Sequence, residues 1–239
     1  MKAEILSAGR SLEASLDRAA EAIFSVLKDQ PKDAPLVIGL CGGRSVVGLL
    51  GALERCSVSQ PPEILRRVQF FMVDERLVPI TDENSNFGGL QKLLFDKLVT
   101  DGVLSRTQLH PFNPQMSLPD SGCDAYGEEL QRHGGRFTVV VLGVGEDGHI
   151  AGLFPHHPTL QRSDIGFFSF LDSPKPPPAR MTAGRTLITS ADLSVVLLLG
   201  EGKRAAWETF RAGRVSIEEC PALLALAAKR CVVVTDLSS

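Results

Sequence analysis

Short apolar runs alternate with longer amphipathic stretches along the chain, and this alternation predicts strands and helices in turn. The apolar runs are almost continuously hydrophobic, which is typical of strands that are covered on both faces in a parallel or mixed sheet. The runs that predict strands are 35–41, 68–74, 137–143, 165–171, 185–190, 194–200 and 231–236.

The amphipathic stretches predict helices. In the first of them, an apolar stripe at helical spacing runs from Leu12 and Leu16 to Phe24 and Leu27. Strands and helices that alternate in this way predict an α/β fold, a doubly wound sandwich with a mostly parallel sheet. The predicted helices are 11–29, 44–55, 86–98, 121–133 and 202–212.

One proline-rich segment, "DSPKPPPAR" at 172–180, interrupts this pattern. Because it lies between predicted strands of one sheet, we interpret it as a rigid loop and not as a linker. A chain of 239 residues is long enough for a sizeable core. We therefore expect residues 1–239 to form a single domain.

Charge and composition indicate which partners and which compartment to expect. The formal charge of −3 gives no reason to expect nucleic acid or an anionic membrane. The five cysteines are scattered without a C-x-x-C spacing, so we expect a reducing compartment, the cytoplasm. The N-terminal stretch lacks the apolar core of a signal peptide, and apolar runs such as "VVLLL" are too short to cross a bilayer. We expect a monomer or a weak homo-oligomer.

Four polar or glycine-rich clusters directly follow predicted strands. Ligands of α/β sheets bind at the carboxyl ends of the strands, so these clusters are expected to meet along one edge. They are "CGGRS" at 41–45, "DERLVP" at 74–79, "GVGEDGH" at 143–149 and "GEGKR" at 200–204.

The stretch 143–148 matches the dinucleotide pattern G-x-G-x-x-G, but its context does not fit a nucleotide site. A pyrophosphate needs a helix that begins at the third glycine. Here Gly152 and Pro155 leave room for scarcely two turns of helix after Gly148. Glu146 and Asp147 also place two carboxylates where the diphosphate would lie. We expect no nucleotide cofactor.

Asp147 and His149 are the preferred catalytic candidates in this loop. Histidine is the usual general base near neutral pH, and a neighbouring carboxylate orients it and stabilises its cation. The alternative is a turn histidine that only caps a short helix, and the spacing alone does not decide between the two.

Several residues near the other strand ends suit an anion such as phosphate. Gly42, Gly43, Arg44 and Ser45 offer backbone N–H groups, a cation and a hydroxyl at a predicted helix start, although a glycine turn with an exposed arginine is the plain alternative. Lys203 lies in the first turn of a helix, where a cation opposes the helix dipole and so indicates a function.

Asp74 and Arg76 form either a structural ion pair or a second point of anion binding. His156 and His157 lie between two prolines and cannot easily face one ion, so we expect no metal site.

Taken together, these motifs resemble the 6-phosphogluconolactonase family, within the wider group of sugar-phosphate isomerases and deaminases. The matching segments occur in family order from about residue 38 to residue 206, and "PALLAL" near the C-terminus also fits. They are "CGGRS", "DERLVP", "ENSNFG", "LGVGEDGHIAGLFP", "SPKPPPARMT" and "GEGKRAA".

The resemblance implies a Rossmann-like αβα sandwich, no metal or nucleotide, and a sugar-phosphate lactone as the small-molecule partner. It implies hydrolysis of 6-phosphoglucono-δ-lactone with His149 as base, and it makes Arg180 a further phosphate candidate beside Arg44, Arg76 and Lys203. Departures from the family pattern at Cys41, Arg44, Ile150 and Gly152 concern efficiency and substrate range more than reaction type.

Two rival functions remain. A deaminase or isomerase of the same fold would need a glutamate shortly after the histidine, and no Glu or Asp occurs between His149 and Asp164. A non-catalytic sugar-phosphate binder would lack lactonase activity, so a lactonase assay separates it from an enzyme.

Overall fold

The structure is a computed structural model that describes residues 3–7, 11–162 and 165–237. Seven parallel strands form the main sheet in the order β1-β10-β9-β6-β2-β3-β5. These strands are β1 (Glu4–Ser7), β2 (Leu36–Leu40), β3 (Val68–Met72), β5 (Leu109–His110), β6 (Val139–Gly143), β9 (Leu193–Leu198) and β10 (Arg230–Thr235).

A second, three-stranded sheet is antiparallel, with the order β4-β8-β7. It places Arg76 opposite Arg180, a pairing that matters for the site described below. Its strands are β4 (Asp74–Arg76), β7 (Phe167–Phe170) and β8 (Arg180–Ala183).

The helices confirm the predicted alternation with small shifts at their ends. Residues 86–100 are continuously helical, with a π-helical turn, Gln91–Phe95, between two α-helical segments. The α-helices are α1 (Leu12–Lys28), α2 (Arg44–Ser57), α3 (Pro62–Arg67), α4 (Asn86–Leu90), α5 (Asp96–Thr100), α6 (Cys123–Arg132), α7 (Arg185–Thr189) and α8 (Arg204–Ala212).

The central strands show why the chain adopts an α/β fold. Every residue of β2 and β9 is buried, so helices and loops cover both faces of the sheet at its centre. Helix α1 begins at the Ser11 cap, whose hydroxyl accepts from the Ala14 N–H, and its apolar stripe packs against α2 and β10. Among the described residues, no helix combines the length and the apolar character that crossing a bilayer requires.

One predicted strand is wrong. The apolar pattern predicts a strand over 185–190, but Arg185–Thr189 is the short helix α7, which buries Leu187 and Ile188. The run "TLIT" is apolar and partly β-branched, and short apolar runs do not distinguish a strand from a buried helical turn. The run 165–171 does contain a strand, Phe167–Phe170, although this strand belongs to the antiparallel sheet.

Candidate active site

A cavity of about 710 Å³ opens where the carboxyl ends of β2, β3, β6 and β9 meet. All four polar clusters that follow predicted strands contribute residues to it, so the convergence expected from the sequence is present. The candidate residues that line the cavity are Gly42, Gly43, Arg44, Ser45, Asp74, Arg76, His149, Arg180 and Lys203.

The glycine loop after β6 is a tight turn, and no α-helix begins at its third glycine. Val144 pairs with Ile150 in an isolated bridge, and the Gly145 N–H donates to the carbonyl of His149 at 2.8 Å. Gly148 has a φ of +84°, a conformation that favours glycine. The loop therefore doubles back on itself and presents the side chain of His149.

His149 and Asp147 form a close pair in this loop. Nδ1 of His149 lies 2.5 Å from Oδ1 of Asp147, and the second carboxylate oxygen lies 3.1 Å from Nζ of Lys175. Burial works to raise the pKa of Asp147, but the hydrogen bond and charge of His149, together with Lys175, outweigh it and lower that pKa below its ordinary value. Asp147 is therefore an anion at neutral pH.

Lys175 is a site residue that the sequence interpretation did not single out. It lies in the proline-rich segment 172–180 and lines the cavity. The only available signal was a cation inside a segment that resembles the family. Its partner Asp147 lies 28 residues away in the chain, so no local spacing predicts the contact.

Aromatic packing and a buried arginine hold the histidine and the proline-rich loop together. The His149 ring lies 4.5 Å from the Phe154 ring, and the guanidinium of Arg180 lies over the same ring. Nε and Nη2 of Arg180 donate to carbonyls of the proline-rich loop, those of Lys175, Pro176 and Pro177. Arg180 thus positions the loop that carries Lys175, and it lines the cavity at the same time.

Arg76 and Arg180 place two like charges side by side across β4 and β8. Burial lowers the pKa of Arg180, and the neighbouring charge of Arg76 lowers it further. Nη1 of Arg76 donates to the carbonyl of Asn84 at 2.6 Å, whereas its buried Nε has no hydrogen-bond partner among the described residues. An anion in the cavity would reduce the repulsion between Arg76 and Arg180 and would give the buried Nε of Arg76 an acceptor.

Buried carboxylates balance part of this positive charge. Asp74 is 6% exposed and accepts from Nδ2 of Asn86, and burial raises its pKa although Arg76, Arg180 and His149 oppose that rise. Asp74 is thus a buried neighbour of the cations, and its side-chain hydrogen bond is to Asn86 and not to Arg76.

The fully buried Glu75 organises the adjacent loop. Its carboxylate accepts from the backbone N–H groups of Arg76, Asn86 and Phe87 and from the hydroxyl of Ser85, where α4 begins. Carboxylates are favourable at helix N-termini. The "ENSNFG" segment is thereby fixed against β4, a role for Glu75 that the sequence did not indicate.

The small-residue loop after β2 fits closely against that segment. A β-carbon at Gly42 would lie 2.1 Å from Oδ1 of Asn86, so only glycine allows the approach. Burial, with the charge of Asp74, raises the pKa of the Cys41 thiol to about 12, and its sulfur accepts from the Gly143 N–H. Cys41 therefore ties β2 to β6 and is not a thiolate nucleophile.

Arg44, Ser45 and Lys203 bring polar groups to the rim of the cavity. Arg44 and Ser45 are the first residues of α2, where backbone N–H groups lack partners within the helix. Lys203 is the residue before α8, and Gly200, at a φ of +90°, turns the chain toward it. Their arrangement fits a phosphate held by a helix N-terminus and cations.

The histidines between the prolines have structural contacts. The His157 side chain accepts from the N–H of Thr159 at the start of a short 3₁₀ turn, and its Nε2 lies 3.2 Å from the carbonyl oxygen of Asp172. His156 has a φ of +57°, and its N–H donates to the carbonyl of Glu218. These contacts agree with the interpretation of 155–158 as a structural loop.

The sequence matches a family model and several 6-phosphogluconolactonases. The family model described as glucosamine-6-phosphate isomerases/6-phosphogluconolactonase matches residues 10–234. A 6-phosphogluconolactonase from Borreliella burgdorferi is 35% identical over 206 residues, which cover 86% of this chain and 86% of the relative. The human 6-phosphogluconolactonase is 33% identical over 177 residues, which cover 72% of this chain and 67% of the relative.

Solved structures share the fold at lower identity. The 6-phosphogluconolactonase of Thermotoga maritima superposes with a TM-score of 0.79 at 21% identity and covers 99% of this chain and 100% of its own. A monomeric glucosamine-6-phosphate deaminase superposes with a TM-score of 0.75 at 20% identity, over 98% of this chain and 97% of its own. Both likenesses agree with the Rossmann-like αβα sandwich. From the family model and these sequence relatives, the chain belongs to the glucosamine-6-phosphate isomerase/6-phosphogluconolactonase family.

Proposed function

We propose that this protein hydrolyses 6-phospho-D-glucono-1,5-lactone to 6-phospho-D-gluconate, the second step of the oxidative pentose phosphate pathway, with His149 as the general base. The relatives named 6-phosphogluconolactonase support the reaction. The observation that carries the proposal is the pair of His149 and Asp147, at 2.5 Å, beside a cavity lined by cations.

The hydrogen bond to Asp147 selects the nitrogen that acts as base. An ionised carboxylate only accepts hydrogen bonds, so Nδ1 of His149 carries the hydrogen that points to Asp147. The lone pair then lies on Nε2. Lys175 holds the second oxygen of Asp147 and so fixes the carboxylate that orients the imidazole. A base fixed in this way typically contributes about 10²–10⁴-fold to the rate.

Hydrolysis then needs one water and no other reactant. Nε2 of His149 takes a proton from water while the water oxygen bonds to C1 of the lactone. The bond from C1 to the ring oxygen breaks, and the histidine returns its proton to that oxygen. The negative charge that develops on the carbonyl oxygen in between requires N–H donors, for which the backbone of the glycine loops is our candidate.

The phosphate is assigned to the cationic part of the cavity. Arg44, Arg76, Arg180 and Lys203 all line it, and each charge-assisted hydrogen bond contributes about 1.5–3 kcal/mol. Arg76 is the preferred phosphate ligand because its buried Nε lacks a hydrogen-bond partner among the described residues. The free thiols of all five cysteines fit the reducing cytoplasm that we propose as its location.

The test is a direct assay with freshly generated lactone. Acid release in the presence of the protein should exceed the spontaneous rate of hydrolysis. The same preparation should release no ammonia from glucosamine 6-phosphate, the substrate type of the rival function. Acid release at only the spontaneous rate would contradict the lactonase and favour a non-catalytic sugar-phosphate binder. Ammonia release would establish the deaminase.

A further inference from the structure

Two histidines and a glutamate converge at the β5 edge of the parallel sheet, outside the cavity described above. His110 ends β5, Glu129 lies in α6, and His133 follows the last turn of that helix. Nδ1 of His110 lies 3.5 Å from Oε1 of Glu129, and Nε2 of His133 lies 3.4 Å from the same oxygen. One nitrogen or oxygen atom from each residue lies within 4.8 Å of the other two.

These separations fit the coordination shell of one small metal ion. Zinc binds histidine nitrogen and carboxylate oxygen at about 2.0–2.2 Å, and two ligands at a tetrahedral angle are then roughly 3.3–3.6 Å apart. Two histidines and one carboxylate, with a water in the fourth position, are an established ligand set for zinc. The side chains of the three residues are partly buried, so water has access to the fourth position.

A hydrogen bond from Gln69 orients the first of these ligands. Nε2 of His110 lies 2.8 Å from Oε1 of Gln69, and an amide oxygen only accepts, so Nε2 carries the hydrogen. The lone pair on Nδ1 therefore faces the carboxylate of Glu129, an acceptor facing an acceptor. Such outer partners are typical of histidines that bind metal, and a cation between the two acceptors gives both a partner.

The surrounding contacts hold the three side chains in place without a metal. The ring of Phe71 stacks on His110 at 4.3 Å and meets the edge of His133 at 5.8 Å. Arg132 binds Oε2 of Glu129, which leaves Oε1 for the two histidines. Sites whose ligands are locked by packing and outer hydrogen bonds bind with little reorganisation.

We propose that His110, Glu129 and His133 bind one Zn²⁺ ion, with a water as the fourth ligand, and that the ion clamps β5 to α6. Strand β5 has only two residues and forms the edge of the sheet, so an added link to α6 stabilises a weakly paired element. The sequence offered no motif for this site, because His110 lies 19 residues before Glu129. The site is separate from the proposed lactone chemistry and does not depend on it.

Zinc binding by the whole chain tests this assignment. A tag-free, chelator-treated chain is titrated with ZnCl₂ alone in competition with a chromophoric chelator, and thermal unfolding is followed with and without zinc. We expect one ion per chain and an unfolding temperature that rises with zinc. Glu129→Gln and His133→Ala should raise the Kd by more than about 100-fold, and Gln69→Ala by about 10–100-fold, the usual effect of an outer partner.

Glu128→Gln is the matched control, because it makes the same change one residue earlier in α6, at an exposed position outside the three ligands. It should bind zinc as the unaltered chain does, and circular dichroism should show that all four variants are folded. The assignment is overturned if Glu129→Gln binds zinc as tightly as the unaltered chain, or if Glu128→Gln loses zinc to the same extent as Glu129→Gln. Replacement of zinc by Co²⁺ should give the intense visible bands of a tetrahedral site; weak octahedral bands would contradict the geometry.

Discussion

A β-carbon at residue 145 would lie 2.0 Å from Nδ1 of His149, so glycine at residue 145 is what leaves room for the imidazole. The same β-carbon would lie 2.5 Å from Oδ1 of Asp147. The first two glycines of the apparent dinucleotide motif thus have different uses from those of a nucleotide loop. Gly145 admits the pair of His149 and Asp147, whereas Gly143 ends β6 and donates to Cys41.

Gly145→Ala should therefore lower kcat strongly while the chain stays folded, with a loss of stability no larger than that of Asp147→Asn. The atoms that the new methyl group meets are the ends of two side chains, which can move aside, but their displacement separates the base from its carboxylate. We expect a loss of about 10²-fold in kcat, the scale of general-base catalysis. Steady-state kinetics and thermal unfolding measure the two effects. Gly127→Ala, where a β-carbon meets nothing within 4 Å, is the control; equal kcat for both variants would contradict the steric argument.

Phosphate on the lactone should be required for efficient turnover. Lys203 lines the cavity and carries a charge next to a helix start, so Lys203→Ala should raise KM by roughly 10–100-fold, the equivalent of one charge-assisted hydrogen bond. Arg204→Ala, one residue further on and paired with Glu201, should leave KM unchanged. If glucono-δ-lactone without phosphate had the same kcat/KM as the phosphorylated lactone, the anion site would be wrong.

The stability that Asp147 contributes should depend on pH in a defined direction. Its pKa in the folded chain lies below the unfolded value of about 3.9, so the contribution is fully present above that value and disappears as the pH falls through the folded pKa. Asp147→Asn should thus be less stable than the unaltered chain at neutral pH, and the difference should shrink in acid. Denaturant unfolding at several pH values measures it, and a constant difference would show that the carboxylate is not stabilised by His149 and Lys175.

Removal of divalent ions should leave lactone hydrolysis intact. The proposed base is an imidazole held by a carboxylate, so no step requires a metal. Treatment with a chelator should leave kcat and KM unchanged at a temperature where the chain is folded, even where thermal unfolding shifts because the proposed zinc site is empty. Inactivation that a divalent ion reverses at that temperature would contradict the metal-free mechanism.

Most of the main sheet could be predicted from the sequence because its strands are buried on both faces. β2 and β9 are apolar at nearly every position, and that pattern is visible without the structure. The sequence pattern does not predict strands β5 and β8. They are only two and four residues long, and their conformation depends on strands far away in the chain. The pattern predicts a strand where α7 lies because four apolar or β-branched residues, Thr186 to Thr189, contain too little periodicity to distinguish a strand from a helix.

The residues of the candidate site also fall into those that the sequence predicts and those that it does not. His149, Asp147 and the cations after the strands were predictable because the edge of a parallel sheet gathers whatever follows its strands. Lys175 and Glu75 were not, because their contacts join segments 28 and about 11 residues apart, and nothing in the local pattern indicates them. Arg180 was predicted as a phosphate ligand, but the sequence could not show that two of its nitrogens hold the proline-rich loop.

The kcat of His149→Asn with freshly generated 6-phosphogluconolactone tests the central claim most directly, with His157→Asn as the matched control. Asparagine keeps a side chain that hydrogen-bonds but cannot act as a base, so His149→Asn should lower kcat by about 10²-fold or more while phosphate binding and folding persist. Asn at residue 157 still caps the 3₁₀ turn, so His157→Asn should retain kcat. A near-normal kcat for His149→Asn together with a large loss for His157→Asn would contradict the assignment of the base.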